Sequence, residues 1–503
     1  MNKKRFLLNG ALLTAVGIAM RTVSLFFNAF VTRTVGAEGI GLYTVVMTVY
    51  NFGVTFATAG ISLTVTRLVA NAIGEGKEDE VPRILSGAVV YALLFSSVAT
   101  AVLFFGGNTL AEHVLSDSRA ALSLRILAPS LIPLAMISVF SGYFIGIRKV
   151  AFNAGTQIFG QIFKITWAVW LLSRSVTTGP EVAARTLAIG TTVTEALCFV
   201  LVFIEFLLER GGRGRVCKNG FPEVASVAVP LAASAYVRQA LLTVEHVLIP
   251  KCLRARGNTV SEALSSYGIL HGMALPMVIY PMATLSSFAG LLVPELAEAK
   301  AAGNTKTMER IASRSMSVTV TYAIVTAVTL LMFSEELGYM IFSSSEAGYY
   351  IAVLSAVVPI MYLDHVTDSI LKGIGEQVYS MWVNVTDSLL SIILVVLLIP
   401  RMGIMGYAVV IIVMEAYNFL LSLARLRKRI RIRIALGRSA IAPLVSALFG
   451  AFITKKLFIS AGASASVPIL ITTAVFTLCA TFLGYKALML SARCIHKIKM
   501  RIL

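Results

Sequence analysis

Long apolar runs, broken at short intervals by polar turns, set the pattern of this chain. We read fourteen stretches long enough to cross a bilayer: 6–32, 40–66, 85–106, 122–146, 151–173, 186–208, 222–250, 265–297, 313–333, 348–372, 378–400, 403–424, 438–457 and 467–490. A crossing helix needs about 20 mostly apolar residues, and backbone in lipid must bond within its own segment. The pattern therefore predicts an all-α integral membrane protein of about fourteen helices.

Composition agrees. Of 503 residues, 57% are hydrophobic and 14% charged. A net charge of +18 is compatible with a nucleic-acid partner, but position argues otherwise. With the N-terminus inside, the even-numbered loops and both tails carry 29 of the 43 Lys and Arg, the opposite loops carry 11, and three lie deep within stretches. That asymmetry is the positive-inside rule. It predicts a multi-pass plasma-membrane protein with both termini cytoplasmic and no nucleic-acid partner. The densest run, Arg425-Leu-Arg-Lys-Arg-Ile-Arg-Ile-Arg433, is an orientation signal and a candidate contact for anionic headgroups. The start imitates a signal peptide, but Arg21 interrupts its apolar run and no small-residue cleavage site follows; we read an uncleaved first helix.

The chain also repeats. Gly76-Lys-Glu-Asp-Glu-Val-Pro-Arg83-Ile84 follows the second stretch and Gly303-Asn-Thr-Lys-Thr-Met-Glu-Arg310-Ile311 the eighth, so one fixed offset carries Gly76 onto Gly303 and Arg83-Ile84 onto Arg310-Ile311. The same offset carries Gly146-Ile147 onto Gly373-Ile374. Six stretches per repeat is an even number, so the halves share one orientation and form a parallel pseudo-two-fold repeat. This predicts lobes at 1–210 and 211–426, with 427–503 adding a basic loop and two C-terminal helices. Two such bundles suit rocking about a midplane site. Pro129, Pro133, Pro230, Pro276, Pro281 and Pro359 are bending points for that motion, or ordinary membrane-helix prolines.

Charges at membrane depth are costly and mark function. Arg21, Lys164 and Arg238 lie roughly 22, 20 and 24 Å from the cytoplasmic side, at 1.5 Å per residue. None has an acid at i±3 or i±4. Arg67 stands at the inner end of the second stretch and Arg33 at the outer end of the first. Cations so placed need a water-filled cavity or a partner. A guanidinium fork and an ammonium suit phosphate oxygens, so Arg21, Arg67, Lys164 and Arg238 are candidate ligands for an anion such as a diphosphate. The alternative is pairing across helices with Glu195 or Glu245, or snorkelling for Arg33 and Arg67.

Acids fall in the second lobe. Asp368 and Lys372 read as an ion pair at i,i+4, while Asp364, Asp387 and Glu415 are candidates to coordinate Na⁺ or carry a proton. No phosphate-cradling glycine loop, His-Glu-x-x-His or nucleophile elbow occurs. The chain thus reads as a non-enzyme needing no cofactor.

Val35-Gly-Ala-Glu-Gly-Ile-Gly-Leu-Tyr43 and Gly60-Ile-Ser-Leu-Thr-Val-Thr-Arg-Leu-Val-Ala70 resemble the stage V sporulation protein B group. That group falls within the multidrug/oligosaccharidyl-lipid/polysaccharide exporter superfamily, and the resemblance covers essentially the whole chain. It implies two six-helix lobes and export of lipid-linked cell-wall or polysaccharide precursors, in sporulation or peptidoglycan synthesis. The group is similar to the lipid II flippases, whose first two helices present arginines to a central cavity; Arg21 and Arg67 match those positions. A second arginine of the flippases, six residues beyond the first, is Phe27 here. The expected activity is a flippase for an undecaprenyl-diphosphate-linked saccharide, working by alternating access. The alternatives are a cation-coupled multidrug exporter and a non-transporting cell-wall scaffold. A drug exporter for organic cations would keep acids in stretches one, two and five, which contain none.

Overall fold

The computed structural model describes residues 3–147, 149–174, 179–210, 220–435 and 437–460. Among these, the regular elements are all helical. We label the principal ones α1 (Lys3–Thr58), α2 (Ile61–Gly74), α3 (Val81–Phe105), α4 (Ala120–Gly146), α5 (Val150–Arg174), α6 (Gly179–Arg210), α7 (Phe221–Ala255), α8 (Val260–Ile279), α9 (Met282–Ala301), α10 (Thr305–Met332), α11 (Ser334–Phe342), α12 (Ser345–Ser355), α13 (Val358–Gly373), α14 (Gln377–Met402), α15 (Ile404–Arg429) and α16 (Ala442–Ser460). Nine helical segments among the described residues are long and apolar enough to cross a membrane, or eleven if each of two bent pairs is one span. The expected stretch 467–490 lies outside the described residues.

Breaks between helices fall where the backbone demands them. α1 bends at Gly36 (φ 77°), between the first two apolar stretches. Gly60 (φ 78°) separates α1 from α2, inside what the sequence pattern reads as one stretch. A Cβ at Gly60 would lie 2.5 Å from the Ala228 carbonyl oxygen of α7. Only glycine admits both the positive φ and that approach. α8 and α9 part at Pro281, and α12 and α13 meet at 57° just before Pro359. Pro230 sits inside an unbroken α7.

The repeat is visible in bonding as well as in letters. After α2, Lys77 N–H donates to Ala72 O at 2.8 Å; after α9, Asn304 N–H donates to Ala299 O at 3.0 Å. Gly146 of α4 packs on Val69, its would-be Cβ 3.1 Å from Val69 Cβ and 3.2 Å from Thr66 O. Gly373 of α13 packs on Leu296 and Val293 O at 2.9 and 3.1 Å. Each of these pairs keeps the offset that carries Gly76 onto Gly303.

The helices group into two packing units. One holds the described residues of 30–268 and 392–403, the other those of 1–29, 269–391 and 404–460. In the first, α2 packs on α4, α5 on α6, and α7 on α2 and α3. In the second, α13 packs on α9, α10 and α15, around Leu296, Met316, Val366, Ile370 and Leu426. Packing decides these groups; the repeat instead concerns which segments have equivalent partners.

Candidate functional site

The four candidate cations occupy four helices. Arg21 lies on α1, and its side chain is outside the described residues. Arg67 on α2 and Arg238 on α7 are exposed, and neither forms an ion pair among the described residues. Lys164 on α5 is half-buried, and its charge acts on Glu195 of the adjoining α6.

Arg67 and Arg238 do not converge. Tyr236 Oη donates to Phe56 O at 3.1 Å, whereas Ala228 abuts Gly60, so α7 runs antiparallel to the end of α1 and α2. Arg67 follows Gly60 by seven residues and Arg238 follows Ala228 by ten, in opposite directions. At 1.5 Å per residue the two cations stand about 25 Å apart along the helices.

The three candidate acids do come together. Asp364 (α13), Asp387 (α14) and Glu415 (α15) lie in one packing unit, and Glu415 feels the charges of both aspartates. The Asp364 Oδ1 is buried without a hydrogen bond. Beside it, Lys372 Nζ meets Asp368 Oδ2 at 2.5 Å, forming the pair expected from i,i+4 spacing. No three His, Cys, Asp or Glu side chains among the described residues are grouped to hold a metal ion.

Sequence reading missed two charged junctions at helix ends. Arg119 bonds Glu38 at 2.7 Å and Asp117 at 2.8 Å. Glu376 accepts from Arg425 at 2.7 Å and Arg429 at 2.6 Å. Arg425 is the leading cause that holds the Glu376 carboxyl below the usual range; partial burial opposes it. A cleft of about 470 Å³ is lined by Ser116, Lys251, Arg254, Ala255 and Asn258, with Lys251 Nζ capping His113 O at 2.9 Å and Arg254 Nη1 capping Ser116 O at 2.9 Å. Helix-terminal bases were the available signal for it.

Comparison with known proteins bears on the whole chain. It is 25% identical over 479 residues to stage V sporulation protein B of Bacillus subtilis (strain 168), covering 93% of this chain and 92% of the relative. It is 21% identical over 395 residues to lipid II flippase MurJ of the same organism, covering 73% and 72%. A solved structure of lipid II flippase MurJ in an inward closed conformation superposes with a TM-score of 0.72 at 13% identity, covering 95% of this chain and all of that one. An inward-facing multidrug resistance MATE transporter of the MOP superfamily gives 0.66 at 12% identity, covering 83% and 98%. A second family, MatE, matches residues 257–397. These likenesses agree with the two-lobe exporter fold expected from the resemblance. The family described as polysaccharide biosynthesis protein matches residues 6–300, more than half of the chain, and this multi-pass membrane protein belongs to that family, with the fold of MOP-superfamily transporters.

Proposed function

We propose that the chain is a flippase that moves an undecaprenyl-diphosphate-linked saccharide, such as a peptidoglycan precursor, outward across the plasma membrane by alternating access. Lobes 1–210 and 211–426 are the two repeats in this reading, 427–503 is appended, and both termini are cytoplasmic. The observation that carries it is the state of Arg67 and Arg238. Each is exposed and without an ion-pair partner among the described residues, Arg238 within α7, which is long and apolar enough to span the membrane, and Arg67 at the inner end of the second apolar stretch. An unneutralised guanidinium at such depth is costly unless water or an anionic ligand reaches it, and its fork matches phosphate geometry. The similarity to a protein named as a lipid II flippase supports the same substrate class.

The separation along the helices gives these residues an order. Arg67 would engage the diphosphate near the inner side and Arg238 farther along, while Arg21 would be the least replaceable ligand. Lys164, already within the field of Glu195, contributes less free charge. The chain itself makes and breaks no bond in this process. The acid cluster at Asp364, Asp387 and Glu415 would couple the cycle to H⁺ or Na⁺.

A second reading, a cation-coupled multidrug exporter, draws on the MatE match over 257–397, which contains two of those acids. One experiment separates the two. In a strain depleted of its lipid-precursor flippase, the wild-type chain should restore growth, while Arg67→Ala and Arg238→Ala should lower rescue at least tenfold at equal membrane abundance. Rescue at wild-type level by both variants would overturn the diphosphate reading. Drug resistance without any rescue would favour the exporter.

A further inference from the structure

Two basic rows, far apart in sequence, meet on one rim of the second packing unit. The first is a stripe on α10: Lys306, Arg310 and Arg314, spaced by four and all exposed. That spacing puts them on one helix face. The opposite face, with Met308, Ile311 and Ala312, packs into the core. Glu309 is the single carboxylate in residues 305–315.

The second row follows α15. Residues 430–435 are not helical, and burial alternates along them. Ile430 is buried, and Ile432 and Ile434 pack on the same core cluster, while Arg431 and Arg433 are exposed. Alternation with period two is that of an extended segment lying on a surface. Arg433 N–H donates to Ser313 Oγ at 3.0 Å, which fastens the segment to α10 beside Arg314. Arg425 and Arg429 are committed to Glu376. Arg427, Lys428, Arg431 and Arg433 have no ion-pair partner among the described residues.

The level of these rows in the membrane follows from their neighbours. α10 begins a candidate span at Thr305, α15 ends one at Arg429, and the next opens at Gly437. Both rows therefore lie where spans emerge, at headgroup depth. An orientation signal needs only the charges. It does not need isoleucines to hold a stretch of backbone flat against the core with every arginine turned outward.

We propose that this composite rim is a binding surface for anionic phospholipid headgroups of the leaflet on that side. The phosphodiester is the anion that occurs at this depth all around the protein. Guanidinium rows bind it by charge and by forked hydrogen bonds. The occupant is a lipid of the surrounding membrane, separate from the transported substrate.

Native mass spectrometry of the full-length detergent-purified chain tests this, with phosphatidylglycerol and phosphatidylcholine as probes. The wild type should retain phosphatidylglycerol preferentially, and the preference should fall several-fold between about 50 and 500 mM salt. Combined Arg310→Gln, Arg314→Gln, Arg431→Gln and Arg433→Gln should lower it by about fivefold per charge removed. The same four positions changed to Lys should keep most of it. An unchanged preference in the Gln variant would overturn the proposal, as would a wild-type preference that is flat with salt. Displacement by inorganic diphosphate at equal concentration would overturn it too, since the rim would then be a general phosphate site.

Discussion

Ser116 and Ser343 share one backbone state: both are left-handed, with φ of 57° and 55°, and they are the only non-glycine residues of positive φ among those described. The offset that relates Gly76 to Gly303 relates these two serines as well. Each ends a short helical segment, and the following residue closes the same loop: Asp117 N–H donates to Ala111 O at 2.9 Å and Ser344 N–H to Gly338 O at 3.2 Å. A strained conformation kept at equivalent positions of both halves marks a turn that the duplication preserved.

Substitution should affect the two turns alike. A β-branched side chain in the left-handed region costs roughly 1–2 kcal/mol, so Ser116→Val and Ser343→Val should each lower the melting temperature in detergent by a few degrees. Ser→Gly at either site should be neutral or stabilising. Thermal unfolding followed by tryptophan fluorescence measures this, and a loss at one position alone would count against equivalent turns.

Local features were legible in the letters. The common offset came from glycine turns, which announce themselves because few residues accept positive φ. The Asp368–Lys372 pair follows from helical spacing alone. Long-range causes were not legible. At the break, Gly60 leaves room for the Ala228 carbonyl of α7, and no pattern within 40–66 reports on a helix so distant in sequence. Glu38–Arg119 and Glu376–Arg425 pair across 81 and 49 residues, beyond any periodicity. Depth counting put Arg21, Lys164 and Arg238 in one layer but could not supply lateral neighbours, so the influence of Lys164 on Glu195 was only one of several options. The separation of Arg67 from Arg238 likewise needed the antiparallel contact of α7.

Glu376 should confer an acid-sensitive part of the stability. Arg425 and Arg429 hold its carboxyl below the usual range, so its folded value lies under its unfolded value of about 4.3. The stabilisation is complete above that unfolded value and disappears as pH falls through the lower folded one. Melting temperature should therefore drop more between pH 5 and 3 for the wild type than for Glu376→Gln. Near neutral pH the variant should lose about 1 kcal/mol or less, as expected of a partly exposed pair. Parallel curves for both proteins would show that the pair contributes nothing.

If the acid cluster carries coupling, Asp387→Asn and Glu415→Gln should slow transport at least tenfold and remove its response to the coupling ion. The measurement is initial transport rate in vesicles with Na⁺ and pH gradients imposed separately. A rate that still responds to one gradient as in the wild type, in both variants, would make these residues structural.

Arg21 offers the most direct test of the proposed cationic path, because it lies fifteen residues into the first apolar stretch with no acid at i±3 or i±4, and the resemblance to the flippases implies a cavity position for it. The direct measurement is flipping by the purified chain in liposomes that contain a fluorescent undecaprenyl-diphosphate-linked saccharide, read as the fraction reaching the far leaflet with time. The wild type should accelerate transfer at least tenfold over empty liposomes. Arg21→Lys should keep part of that rate, since the charge survives without the fork, and Arg21→Ala should fall to background. Transfer by well-folded Arg21→Ala at the wild-type rate would contradict a cationic path for the diphosphate.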